Sequence, residues 1–279
     1  MKKNSIAERL LIGLSFLFLY APIFVLIAFS FNASKSRTVW TGFSLQWYAE
    51  LIHDTRIMSA LTTTLQVSLI AAAVATVAGT AAAVGFFSLR RRTRSALMTV
   101  NNIPLTNADI ITGVSLMLLF AFFGGVFGFG RGMGTLLIAH ITFDVPYVIL
   151  SVMPKLRQLD RNLFEAAQDL GATPWQSFWK VVMPELRSGI LNGALMAFTM
   201  SIDDFVISYF TAGTRVSTLA MEIYAMTRKR ISPEINALST LVFGSVLTLL
   251  IVINVRSIRQ ERAETRRLAA LRRDAAVSA

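Results

Sequence analysis

The chain has 279 residues, 54% of them hydrophobic and only 15% charged, with a net charge of +11 and no cysteine. A soluble domain of this size carries nearer a quarter charged residues, so an ordinary soluble class is excluded, as are disulfides and thiolate metal sites. The basic excess could suggest nucleic acid, but its placement points elsewhere. Nearly uncharged runs of about 20 residues, the length that crosses a bilayer core as a helix, occur at 10–32, 59–87, 97–123, 134–153, 189–212 and 235–255. With the N-terminus inside, 19 of the 27 Lys and Arg fall in cytoplasmic segments, the bias that orients membrane proteins. The expected fold is all-α: a polytopic membrane protein with six transmembrane helices. Residues 1–9 form a cytoplasmic N-terminus, 10–255 the membrane domain, and 256–279 a basic cytoplasmic tail near anionic lipid.

The first run follows Lys2, Lys3 and Arg9. It is longer than a signal-peptide core and lacks a small-x-small cleavage site, so an uncleaved span is expected. Residues 33–58 then offer Trp40, Trp47 and Tyr48 as interfacial anchors. After the second run and Arg90–Arg94, the third begins with "NNIPLTNADIITG". Pro104 removes a backbone hydrogen bond and pushes residue 103 away from helix. This predicts either a broken helix lining a pathway or a kinked helix packed in the interior.

Four acids fall inside the predicted spans: Asp109, Asp144, Asp203 and Asp204. At 1.5 Å per residue Asp109 lies roughly 18 Å and Asp203 roughly 21 Å from the cytoplasmic start of their spans. Asp144 lies roughly 15 Å from the outer start of its own, so these acids sit near the middle of a core about 30 Å thick. A lipid-facing acid there costs about 2.5–3.5 kcal/mol, so each should face protein or water. His140 is the one candidate cation at comparable depth and reads as a packing residue. Such acids can fix helix packing by hydrogen bonds, pair with an Arg of another subunit, or meet a cationic solute. Phe205, Tyr209 and Phe210 beside the Asp pair suit an organic cation. The chain contains no P-loop, His-x-x-x-His or Gly-x-Ser-x-Gly pattern, so no enzymatic activity is expected in it.

Between the fourth and fifth runs lies "FEAAQDLGATPWQSFWKVVMPELRSGI". Leu163, Phe164, Ala167 and Leu170 recur at helical spacing. Ala166 and Ala167 keep this helix slim, and Gly171 suits a left-handed stop. Thr173-Pro174 restart a helix as N-cap and first-turn Pro, and Trp175, Phe178, Trp179 and Val182 form its stripe. Pro184 is expected to close the unit. A slim helix–turn–helix here is shaped to be gripped by a soluble partner. Residues 213–234 hold a short alternation that assigns no element, and Ser232-Pro233-Glu234 reads as the start of the last span.

The stretch resembles the signature of the permease subunits of binding-protein-dependent ABC importers: Glu-Ala-Ala, three residues, Gly, nine residues, Ile-x-Leu-Pro. Glu165, Ala166, Ala167, Gly171 and Pro184 stand in register, with Val181 and Met183 replacing Ile and Leu. The resemblance implies that loop 154–188 carries a coupling helix docking on a separate ATPase. "YAPIFVLIAFSFNASKS", "ADIITGVSLMLLF", "LFEAAQDLGATP", "SIDDFVISYFTAG" and "ISPEINALSTL" together look like the spermidine/putrescine class of such permeases. That class implies a bacterial inner-membrane heterodimer with a second homologous permease chain. It also implies two cytoplasmic ATPase subunits that hold ATP and Mg, and a periplasmic polyamine-binding protein. It implies no cofactor in this chain. Asp109, Asp203 and Asp204 fall on motifs characteristic of the class, whereas Asp144 occupies a position not expected to be acidic. The substrate-pathway set is thus Asp109, Asp144, Asp203, Asp204, Phe205 and Tyr209. The rivals are an importer permease for an iron complex or other organic cation, and a proton-coupled secondary transporter using Asp109 or Asp203. A membrane-embedded structural partner is the third, and it leaves the buried acids without a purpose.

Overall fold

The computed structural model describes residues 6–34, 39–229 and 234–248, with positions 251 and 255. The described residues are helical almost throughout, with one isolated β-bridge between Asn32 and Phe43. The chain divides into two compact units, Asp54–Ala225 and the flanking Met1–His53 with Met226–Ala279. Among the described residues, four helices are long and apolar enough to cross a membrane: Leu10–Ser30, Thr55–Ser88, Asp109–Phe127 and Met133–Gln158. The start of the last predicted span at Ser232-Pro233 and the basic tail 256–279 lie outside the described residues.

In the flanking unit, α1 (Ile6–Ser30) is followed by α2 (Gln46–His53). Trp47 is only 2% exposed. Its indole N–H donates to the Asn32 carbonyl at 2.7 Å, because a buried indole needs a hydrogen-bond partner. Ser30 Oγ and the Tyr48 hydroxyl lie 2.7 Å apart, and Phe31 packs on Phe43 and Tyr48. Trp47 and Tyr48 therefore fold α2 back onto the end of α1; of the predicted anchors only Trp40 stays exposed.

The larger unit is built on α3 (Thr55–Ser88), whose first amides are capped by the Asp54 carboxylate. At 1.5 Å per residue α3 is about 50 Å long, more than the bilayer core requires. Ala71, Ala75, Gly79 and Ala83 recur every four residues along it, all buried. Such a stripe lets helix backbones approach closely. The neighbour is α6 (Met133–Gln158): a Cβ added at Gly79 would lie 2.7 Å from Val148 Cβ. α9 (Met183–Asp203) meets the same residue, and a Cβ at Gly193 would lie 3.1 Å from Val148 Cα and 3.2 Å from its Cγ1. Two glycines thus converge on Val148. The core around it holds Ile149, Val152, Met153 and Leu156 of α6 with Leu186 and Ala197 of α9.

Between α3 and α6 run α4 (Arg91–Thr106) and α5 (Asp109–Phe127). The predicted third span is therefore interrupted, but at Asn107-Ala108 rather than at Pro104. Pro104 sits inside α4, which continues past it because the Asn107 amide still donates to the Ile103 carbonyl at 3.1 Å. After α6 come α7 (Arg161–Asp169), α8 (Pro174–Ser177), a π-helical turn over Phe178–Val182, and α9. Pro184 does not close the unit as expected: it is the second residue of α9, and the helical course runs unbroken from Pro174 to Asp203. Pro184 has no N–H for the Lys180 carbonyl. The turn before it widens, with the Met183 amide reaching back to Phe178.

The predicted fifth span is likewise divided, into α9 and α10 (Val206–Thr211). Finally α11 (Leu219–Lys229) occupies the stretch whose alternation assigned nothing, and α12 (Glu234–Thr248) follows. The Leu219 amide donates to Thr64 Oγ1 of α3 at 2.8 Å, and Glu222 pairs with Arg56 at 3.5 Å.

Candidate functional site

The break between α9 and α10 holds two of the four predicted acids. Asp203 ends α9, and Asp204 follows in an extended conformation with φ −68° and ψ 122°. The Asp204 carboxylate turns forward and accepts from the Ile207 and Ser208 amides at 3.2 and 2.7 Å. It thereby satisfies N–H groups that the start of a helix leaves open. Irregular backbone at membrane depth persists only where such partners exist.

Against this break lies His140 of α6. Its Nδ1 is 2.7 Å from Ser201 Oγ, its Nε2 is 3.0 Å from Ser208 Oγ, and Nε2 stands 3.6 Å from Asp204 Oδ2. Both side chains are buried, at 1% and 6% exposure. His140 is thus a satisfied packing residue, as its sequence context suggests, and its acid is Asp204 rather than Asp144 one turn along α6. The far end of α10 is held as well. Thr135 Oγ1 donates to the Thr211 carbonyl at 2.8 Å, and the Arg131 guanidinium donates to the Phe210 carbonyl at 3.0 Å. Gly113 of α5 packs against Phe210 and Val206, so the breaks at 107–108 and 204–205 belong to neighbouring helices.

The predicted pathway residues separate by exposure. Asp109, at the first turn of α5, and Asp203 are exposed, and Tyr209 is 51% exposed. Phe205 is half-buried, its ring 5.5 Å from that of Tyr209 and 4.4 Å from that of Tyr224. Carboxylates with aromatic faces can receive an organic ammonium ion. Asp144 differs: its exposure is 0%, and neither carboxylate oxygen has a hydrogen-bond partner among the described residues. It lines no accessible surface. Ser201, Ser208 and Tyr224 escaped the sequence reading. The two serines sat in the quoted "SIDDFVISYF" seven residues apart, but nothing local tied them to His140.

The second site is the α7–α8 element. Asp160 caps α7 by accepting from the Asn162 amide at 3.0 Å. Gly171 stops it at φ +87°. Thr173 and Gln176 cap α8 reciprocally, at 3.3 and 3.1 Å, with Pro174 in its first turn. Phe164 and Phe178 turn inward onto the α6–α9 core, while Glu165 and Ala166 stay exposed, Ala167 is half-buried and Pro184 is exposed. Leu170 is 90% exposed and Trp175 70%. Exposed apolar side chains beside a polar rim mark an interaction surface. Gly171→Ala is expected to cost about 1 kcal/mol, because nothing lies within 4 Å of the added Cβ and only the left-handed backbone is penalised. Thermal unfolding of the purified variant in detergent measures it; an unchanged midpoint contradicts that conformational cost.

Comparison with known proteins gives a consistent result. Residues 75–260 match the family model described as binding-protein-dependent transport system inner membrane component. The chain is 43% identical over 236 residues, 84% of each chain, to the putrescine transport system permease protein PotI of Escherichia coli. It is 34% identical over 236 residues to the spermidine/putrescine transport system permease protein PotC of Haemophilus influenzae, covering 85% of this chain and 90% of the relative. Among solved structures, a bacterial ABC transporter involved in the import of the acidic polysaccharide alginate superposes with a TM-score of 0.68 at 14% identity, covering 91% of this chain and 99% of that chain. At that identity the match shows the shared fold alone.

Proposed function

We propose that this chain, which belongs to the family of binding-protein-dependent transport system inner membrane components, is a permease subunit of an ATP-driven polyamine importer. Its similarity to putrescine and spermidine/putrescine permeases supports the substrate class. The observation that carries the reading is the broken helix at 203–205, where Asp203 is exposed and the Phe205 and Tyr209 rings lie 5.5 Å apart while Asp204 turns inward to cap α10. Carboxylate and aromatic faces are the chemistry an alkyl diammonium needs at the depth where desolvation costs most. Asp109, Asp203, Phe205 and Tyr209 line the path, and Asp204, turned inward, holds the break in the helix beside them. Asp144, sealed within the protein, acts on the path through the packing of α6.

In this reading α9 with α10, and the helix from Glu234, complete six spans within 10–255. Both termini face the cytoplasm, as do 1–9 and the tail 256–279. A second homologous permease chain completes the pathway, a periplasmic binding protein delivers solute, and lipid surrounds the pair. Two ATPase subunits carry ATP and Mg, and no cofactor resides in this chain. The coupling loop 154–188 presents Glu165, Ala166, Ala167 and Gly171 to an ATPase. Pro184, beyond the π-helical turn, starts the rod that carries the motion to Asp203.

The test is the ATPase rate of the complete transporter in lipid nanodiscs against diamines, triamines, an iron complex and neutral solutes, each with binding protein. Stimulation confined to polyamine is expected. Stimulation by another solute alone would transfer the assignment to that solute, and a flat response would remove the coupling role. Asp203→Asn, at an exposed position, is expected to lower uptake severalfold at normal membrane abundance; unchanged uptake removes Asp203 from the path.

A further inference from the structure

A cavity of about 500 Å³ opens where α3 ends, α4 begins and α6 ends. Arg91, Arg94, Ser95 and Met98 face it from α4 at positions i, i+3, i+4 and i+7, and Arg157 and Phe87 line it from α6 and α3. Arg94 is fixed in place: its guanidinium lies 5.6 Å over the Phe87 ring and donates to the Phe87 carbonyl at 3.4 Å. Arg91 and Arg157 are exposed. Three like charges around one cavity repel, and no carboxylate among the described residues is paired with them. An anion offsets that repulsion.

The form of the cavity selects the anion. Guanidinium forks match phosphate oxygens in pairs, and the Ser95 hydroxyl adds a donor. Phe87, Met98 and Leu159 make the remaining wall apolar, which suits a phosphate carrying an organic substituent better than a small hydrated ion. Position narrows it further. Two of the three bounding helices, Thr55–Ser88 and Met133–Gln158, are long and apolar enough to cross the bilayer, and both end at this cavity. Headgroup phosphates therefore lie at its level. We infer that the Arg91–Arg94–Arg157 cavity is a binding site for the phosphodiester headgroup of an anionic phospholipid. A bound headgroup ties the end of α6, two residues before the Asp160 cap of α7, to the start of α4, and so steadies the base of the α7–α8 element.

The probe is phosphatidylglycerol. Full-length protein, as the assembled transporter, is taken from nanodiscs of mixed phosphatidylcholine and phosphatidylglycerol, and retained lipid is counted by native mass spectrometry. Each arginine contributes about fivefold to retention, so Arg91→Gln/Arg94→Gln/Arg157→Gln is expected to lose anionic lipid on the order of a hundredfold. Because Arg94 also braces Phe87, Arg91→Gln/Arg157→Gln serves as the second variant, with an expected loss of roughly twenty-five-fold. Arg92→Gln/Arg187→Gln, outside the cavity, is expected to retain wild-type lipid. Equal retention in all variants overturns the site. Displacement of lipid by soluble glycerol phosphate at millimolar concentration reassigns the site to a free phosphate ester. Loss of the ATPase subunits from the Gln variants with lipid retention unchanged assigns the arginines to that protein contact and overturns the lipid reading.

Discussion

Asp204→Ala is expected to destabilise the protein by about 3 kcal/mol and to abolish uptake, whereas Asp203→Asn leaves stability unchanged within about 0.5 kcal/mol. The two residues are adjacent but physically unlike. Asp204 accepts two amide hydrogen bonds that start α10 and stands 3.6 Å from the buried His140. Removing it orphans the Ile207 and Ser208 amides where water is scarce, and an unsatisfied buried group costs about 1–3 kcal/mol. Asp204→Asn keeps one carbonyl acceptor and falls between, at about 1–2 kcal/mol. Thermal midpoints in detergent, membrane abundance and polyamine uptake separate the roles. A normal midpoint for Asp204→Ala is incompatible with a capping role. A lowered midpoint for Asp203→Asn contradicts the exposed placement of that carboxylate.

A second large effect is expected at the three-helix junction. Gly79→Leu should cost about 3 kcal/mol or more, because its Cβ would stand 2.7 Å from Val148 Cβ and 3.1 Å from the Val145 carbonyl oxygen. The Val148 Cγ1 methyl has little room to yield, since Gly193 of α9 stands against the same methyl. Gly79→Ala should cost about 2 kcal/mol, and Val148→Ala should relieve part of that cost. A double-mutant cycle with a coupling of about 1 kcal/mol is the expected outcome; strict additivity would show that α3 and α6 are not in the contact described. Gly85→Ala, on the same helix with nothing within 4 Å, serves as the neutral control.

Local chemistry made parts of this protein legible before its structure. The Thr173-Pro174 restart and the Gly171 stop rest on contacts within a few residues, and a sequence displays such contacts directly. The crowding of Asn101, Asn102, Pro104, Asn107 and Asp109 left a broken and a kinked third span equally open, and placed the irregularity at Pro104. Proline removes one hydrogen bond, and the helix absorbed that loss at Pro104 and yielded three residues later. The acids at 203 and 204 were visible as costly groups. Their division into an exposed and an inward carboxylate was not, because it depends on His140, more than sixty residues away along the chain. Trp47 read as an interfacial anchor because the anchor rule knows only residue type. The carbonyl that satisfies its indole, Asn32, comes from the other end of a loop. For Trp47 and for the His140 partner of Asp204 the missing information was a long-range contact.

The π-helical turn at Phe178–Val182 fixes a phase. A π-turn holds one residue beyond what an α-helix needs, and each α-helical residue turns the rod by about 100°. The surface carrying Leu170 and Trp175 and the end carrying Asp203 are therefore set at an angle that this single supernumerary residue determines. A relative lacking one residue between Trp175 and Pro184 would have a plain helix there and would turn this exposed apolar surface to a different quadrant. Length between those two positions is accordingly a heritable dial for aim. The nine-residue spacing between Gly171 and Val181 holds that length, so the motif and the phase are kept together.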